Sequence, residues 1–103
     1  MTLSDRIMTA WMARNPLPDD PDAAEAWGDR EWHLRQMLEF HAYESAVIQF
    51  LVPEGRRLVV LCETLDGRWA AKLCQREPHK TLPACGGDTP AEALLAAIER
   101  IET

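Results

Sequence analysis

Residues 56–75 read Arg56-Arg57-Leu58-Val59-Val60-Leu61-Cys62-Glu63-Thr64-Leu65-Asp66-Gly67-Arg68-Trp69-Ala70-Ala71-Lys72-Leu73-Cys74-Gln75. Two apolar runs flank Asp66-Gly67, a dipeptide favoured in two-residue hairpin turns because both central positions take positive φ. The reading predicts antiparallel strands over about 57–65 and 68–75. Leu65 then opposes Arg68, Thr64 opposes Trp69, Cys62 opposes Ala71 and Val60 opposes Leu73. The core face would carry Leu58, Val60, Cys62, Trp69, Ala71 and Leu73. Glu63 falls on the other face, diagonal to Arg68 and Lys72, a favourable charge arrangement. In this register Cys62 and Cys74 point to opposite faces.

Upstream, Ser45-Ala46-Val47-Ile48-Gln49-Phe50-Leu51-Val52 has the length and β-branched content of a buried strand, and it also fits the last turns of a helix. Both readings stay open: the sheet has three strands if 46–52 is one of them, and two if it is helix. Pro53-Glu54-Gly55 is a turn in either case. Downstream, residues 77–88 read as loop, with prolines at 78 and 83 and the pair Gly86-Gly87. A final helix is signalled by Thr89 as N-cap, Pro90 in the first turn and Glu92 closing a capping box. Leu94, Leu95, Ile98 and Ile101 form its apolar stripe.

The first half reads as helical. Thr2 and Asp5 are a loose capping pair ahead of a stripe of Leu3, Ile7 and Trp11, with Met8 and Met12 beside it. Pro16 and Pro18 end that helix. Asp20-Pro21 starts another, running to about His41 with a stripe of Trp27, Leu34 and Leu38 that His41 could extend, Met37 alongside, and Gly28-Asp29 is a place where it could break or restart. The expectation is one α+β domain over 1–103. An acidic helical half spans 1–44. A small antiparallel sheet of two or three strands with a C-terminal helix spans 45–103.

Bulk composition agrees. A 103-residue chain that is 47% hydrophobic can build one modest core. No apolar run reaches the length of a membrane span. The start Met-Thr-Leu-Ser-Asp-Arg lacks the basic-then-apolar pattern of a secretion signal, so a cytoplasmic location is expected. Three cysteines, an odd number, argue against a disulfide framework.

Charge is unevenly placed. The net formal charge is −6. Residues 1–55 hold ten acids against four bases, whereas 56–103 hold seven of each. Such a balance repels phosphate, so direct nucleic-acid binding is disfavoured and a basic protein surface is the natural partner.

Motifs of catalysis are thin. His33, His41, His79 and the three cysteines contain no metal-ligand spacing, and no Gly-x-Ser-x-Gly occurs. Ser4 and Ser45 are the only serines. Cys85 and His79 share a loop without an evident third group to orient them. Asp29 precedes His33 by one helical turn, a pair more often surface decoration than machinery. Gly86-Gly87 ahead of a helix lacks the lysine of a phosphate cradle, and Asp88 opposes an anion. The expectation is therefore no catalytic residue, no cofactor and no metal.

One stretch invites a functional reading. Residues 19–32 place Asp19, Asp20, Asp22, Glu25, Asp29 and Glu31 around Trp27 and Trp32. The helix dipole accounts for Asp20, Asp22 and Glu25. It accounts poorly for Asp29 and Glu31 unless a second helix begins at Asp29. The two tryptophans are five apart and point in different directions on a continuous helix, so if one is core the other is partly exposed. A tryptophan rimmed by carboxylates suits an interface with a basic partner. The candidate partner-binding residues are Asp19, Asp20, Asp22, Glu25, Trp27, Asp29 and Glu31.

Two resemblances accompany these features. Leu51-Val52-Pro53-Glu54-Gly55, then Gly67-Arg68-Trp69-Ala70, then Gly87-Asp88-Thr89-Pro90-Ala91-Glu92-Ala93-Leu94 is similar to small tailed-phage proteins with the phage ABA-sandwich domain, over about 45–102. That resemblance implies a short sheet covered by helices, a phage origin and no catalytic residues. Asp66-Gly67-Arg68-Trp69 with Leu82-Pro83-Ala84-Cys85 and Gly87-Asp88-Thr89 also resembles HicB-type antitoxins, which grip a toxin with a small αβ module. The expected function is a non-enzymatic acidic protein-binding module. It would be a phage-encoded, anti-CRISPR-like inhibitor that occupies a basic surface of a host defence complex. The alternatives are a HicB-like antitoxin bound to a small basic toxin, and a phage structural or assembly accessory protein. Pairing with a second copy of the chain is compatible with each.

Overall fold

The computed structural model describes residues 2–52, 56–75, 80–81 and 84–101. Three helices come first: α1 (Leu3–Arg14), α2 (Pro21–Glu39) and α3 (Tyr43–Leu51). Strands β1 (Arg56–Glu63), β2 (Trp69–Gln75), β3 (Lys80–Thr81) and β4 (Cys85–Gly87) come next, and α4 (Pro90–Ile101) closes the fold. The protein is an α+β fold with an antiparallel sheet packed against the C-terminal helix.

Local chemistry sets the helix ends. The Asp5 amide donates to Thr2 Oγ1 at 3.1 Å and the Thr2 amide donates to Asp5 Oδ2 at 3.3 Å, a complete capping box. The Ala23 amide donates to Asp20 Oδ2 at 3.0 Å, with Pro21 in the first turn. The Glu92 amide donates to Thr89 Oγ1 at 3.2 Å. Gly28 does not interrupt α2: the helix passes through it, with open space where a side chain would stand.

The way α2 ends sets the start of α3. The His41 amide donates to the Leu38 carbonyl at 3.1 Å and the Ala42 amide to the Met37 carbonyl at 2.8 Å. This is a Schellman closure with His41 at φ 60°, the position glycine normally takes. The chain turns at once into α3. Residues 46–52, which the sequence left open between strand and helix, are thus helical to Leu51. The inward set is Ala46, Val47 and Leu51, at 3.6-residue spacing. The strand expectation was tenable because Ala46, Ile48, Phe50 and Val52 also alternate at period two. In the fold Ile48 is turned outward.

The third strand position belongs instead to residues expected as loop. β2 pairs with β1 along one side, and β3 and β4 share its other side. β3 pairs Cys74 with Thr81, and β4 pairs Trp69 with Gly87 and Ala71 with Cys85. A side chain could not replace hydrogen at Gly87, because its Cβ would lie 2.5 Å from the Ala93 nitrogen. Gly87 thus lets β4 press against the first turn of α4.

The hairpin forms, with a different turn. The Gly67 amide donates to the Thr64 carbonyl at 3.0 Å and the Thr64 amide to the Arg68 carbonyl at 2.6 Å. Gly67 takes φ 82°. The loop is therefore Leu65-Asp66-Gly67, a three-residue turn ending in left-handed glycine. The Thr64 hydroxyl donates to the Asp66 carboxylate, and the Arg68 amide donates to it at 3.3 Å, which holds the tighter turn closed. Inserting one residue in the loop shifts the register by one and exchanges the faces of Val60–Glu63, while the irregularity between Leu58 and Val60 returns Leu58 to its expected side, opposite Leu73. Glu63 opposes Trp69, Cys62 opposes Ala70, Leu61 opposes Ala71 and Val60 opposes Lys72. Leu61 therefore packs at the core while Cys62 is exposed. Cys62 lies on the same face as Lys72 and Cys74, where opposite faces were expected for the two cysteines. Glu63 shares the face of Trp69, so its expected diagonal with Arg68 and Lys72 does not form.

The core runs from the sheet to the N-terminal helices. α4 lies on β2 and β4, α3 lies against α4, and α1 and α2 pack on α3. Leu94, Leu95 and Ile98 meet Ala71 and Leu73 on one side and Val47 and Leu51 on the other within one buried cluster. The Ile101 side chain lies outside the described residues. At the helical end, the Trp11 and Trp27 rings stand 5.2 Å apart and Phe50 meets Trp11 edge-on at 6.3 Å. The Arg30 guanidinium lies 5.6 Å from the Phe50 centroid and 6.0 Å from that of Trp11, a cation–π contact that shields the seam.

Candidate partner-binding surface

On α2 a residue advances 100° per step, and Leu34 and Leu38 mark its buried side. Asp22, Glu25, Asp29, Trp32, His33, Gln36 and Phe40 fall within the opposite sector, and all but the half-buried Gln36 are exposed. Asp19 precedes the N-cap and is exposed too. Asp20 is engaged in capping. The carboxylates of Asp19, Asp22, Glu25 and Asp29 form no ion pair and accept no hydrogen bond among the described residues.

The other candidates divide. Glu31 is half-buried and paired with Arg35 at 3.2 Å, one turn on. Trp27 turns inward: its ring packs on Trp11 and its Nε1 donates to the Asn15 carbonyl at 2.6 Å. Its indole is a tie between α2 and the end of α1. The exposed aromatic is Trp32, 59% accessible and edge-on to His33 at 5.3 Å, with Phe40 79% accessible two turns further. The five-residue spacing of the tryptophans already required opposite directions. Leu34 and Leu38, as the inward mark, decide which tryptophan is which. Phe40 was missed because the predicted helix ran through it, with no signal for a turn at His41.

His33 Nδ1 lies 3.0 Å from the Asp29 main-chain carbonyl, so its neighbour is the backbone and not the Asp29 carboxylate. Two open concavities are described. One of about 470 Å³ beside the hairpin is lined by Thr64, Leu65, Asp66, Arg68, Trp69 and Gly86. Another of about 250 Å³ between α1 and α2 is lined by Ser4, Asp5, Met8, Arg35, Leu38 and Glu39. Neither is lined by a histidine or a cysteine. Among the described residues no three His, Cys, Asp or Glu side chains converge as a metal site would need. His79 lies outside them, and its pairing with Cys85 with it. No described helix is long and apolar enough to cross a membrane.

The fold and surface define a small α+β protein with an acidic, aromatic-tipped helix face. Comparison with protein-family models, curated proteins and solved structures returned no match.

Proposed function

We propose that the chain is a non-enzymatic binding module that presents the outward face of α2 to a basic protein surface. The observation that carries this reading is the line of carboxylates Asp19, Asp22, Glu25 and Asp29, unpaired among the described residues, leading to exposed Trp32. Carboxylates that serve the fold find a partner, as Asp5, Asp20 and Glu31 do here. Four in succession without one leave a field directed at solvent, which speeds encounter with positive charge, and a neighbouring aromatic supplies the short-range anchor. With the phage-protein resemblance, the reading becomes an inhibitor that covers a nucleic-acid-binding surface of a host defence complex in the host cytoplasm. The antitoxin alternative shares the same face and differs in its partner, a small basic toxin.

Capture from bacterial lysate at low and high salt, with the retained protein identified by mass, tests this. The expected ligand is a basic protein released by salt. Asn or Gln at 19, 22, 25 and 29 should slow association about tenfold or more. Trp32→Ala should weaken affinity by about 2 kcal/mol. Unchanged binding by both variants would remove α2 as the binding face.

A further inference from the structure

β1 is an edge strand. It pairs with β2 on one side, α4 lies across one of its faces, and no described strand occupies its outer side. Its eight residues, Arg56-Arg57-Leu58-Val59-Val60-Leu61-Cys62-Glu63, run from two cations through five apolar residues to an anion. A long edge of this kind invites another strand unless something covers it. The order of charge identifies that strand. Turned by a two-fold axis, the sequence meets its own complement, Arg56 against Glu63 at both ends. Parallel alignment would set arginine beside arginine.

Strand geometry adds a condition that β1 meets in an unusual way. Opposed residues of an antiparallel pair must lie on the same face. Residues 56 and 63 are seven apart, and in a regular strand they would lie on opposite faces. β1 carries one irregularity, between Leu58 and Val60, where Val59 has no partner on β2. The register shows the result: Arg56 opposes Gln75 and Glu63 opposes Trp69, positions six apart on β2 and so on one face. Leu58 and Leu61 likewise oppose Leu73 and Ala71, two apart. The bulge therefore brings both halves of β1 into the phase that self-pairing needs. Glu63 is exposed and makes no ion pair among the described residues.

We infer that β1 pairs antiparallel with β1 of a second copy about a two-fold axis near Val59 and Val60, with Arg56 opposite Glu63 of the second copy, joining the two sheets into one. The interface is isologous, and each charge pair occurs twice. It uses none of the α2 residues and stands apart from the proposed function.

Light scattering after size exclusion, from micromolar to millimolar protein, should show a concentration-dependent dimer. Glu63→Arg and Arg56→Glu should each raise its dissociation constant about tenfold, since like charges then face each other at both ends. Combining the two changes should restore pairing. Should a single variant fold poorly by circular dichroism, hydrogen exchange of the unmodified chain is a second readout. Amides of Arg56–Glu63 should gain protection with concentration while those of α1 do not. A chain monomeric throughout that range overturns the inference, as does a dimer indifferent to the charge exchange or one whose β1 amides gain no protection.

Discussion

His41 and Gly87 show how single residues carry this fold. His41 adopts the left-handed backbone that closes α2, with its ring stacked on Tyr43 at 5.6 Å. Non-glycine residues lose about 1 kcal/mol there. His41→Gly should therefore stabilise the protein by about 0.5–1 kcal/mol, read as a higher denaturant midpoint with unchanged slope. A loss instead would mean that the Tyr43 stack outweighs the backbone term. Gly87 lies at the opposite extreme. Its hydrogen faces the main chain of Glu92 and Ala93, which cannot swing away as a side chain could. Gly87→Ala should cost about 2 kcal/mol or more and loosen β4 from α4, seen as faster exchange of the Cys85–Gly87 amides. Neither role was legible from sequence. A histidine carries no turn signal, and a glycine pair before a helix reads as a bend.

At the scale of elements, the helix caps were legible because each is written within four residues: Thr2 with Asp5, Asp20 with Pro21, Thr89 with Glu92. The hairpin was legible in outline and wrong by one residue. Asp66-Gly67 marks a turn, but two-residue and three-residue loops both accept it. The choice rests on the Asp66 carboxylate, which accepts from Thr64 and from the Arg68 amide. Those bonds hold its pKa below the ordinary carboxylate range, the Thr64 hydroxyl foremost. A depressed folded-state pKa stabilises above the unfolded value, roughly 4, and the contribution is lost as pH falls through the lower folded value. Asp5 has the same sign through its bonds from Thr2. Stability should decline as pH drops from about 5 toward 3, and Asp66→Asn should flatten part of that decline. An identical acid profile in Asp66→Asn would show that other carboxylates set it.

For the molecule as a whole, charge and packing are separable. The carboxylates on the outward face of α2 pair with no described residue, so neutralising residues 19, 22, 25 and 29 should change unfolding free energy by no more than about 1 kcal/mol, the scale of helix-dipole effects, while binding suffers. A far larger destabilisation in thermal unfolding would mean that these groups serve the fold. By itself the sequence determined the α+β class, three helix starts, the β1–β2 hairpin and the acidic first half, because these rest on local bonding and on composition. That Trp27 turns inward was written in its helical spacing from Leu34 and Leu38, whereas tertiary structure decided that 46–51 is helix, that β3 and β4 supply the third strand position and that Cys62 faces solvent. Each of these was a choice between two patterns of equal local quality. Only burial against a second element, α3 on α4 and β4 under α4, separates them in free energy.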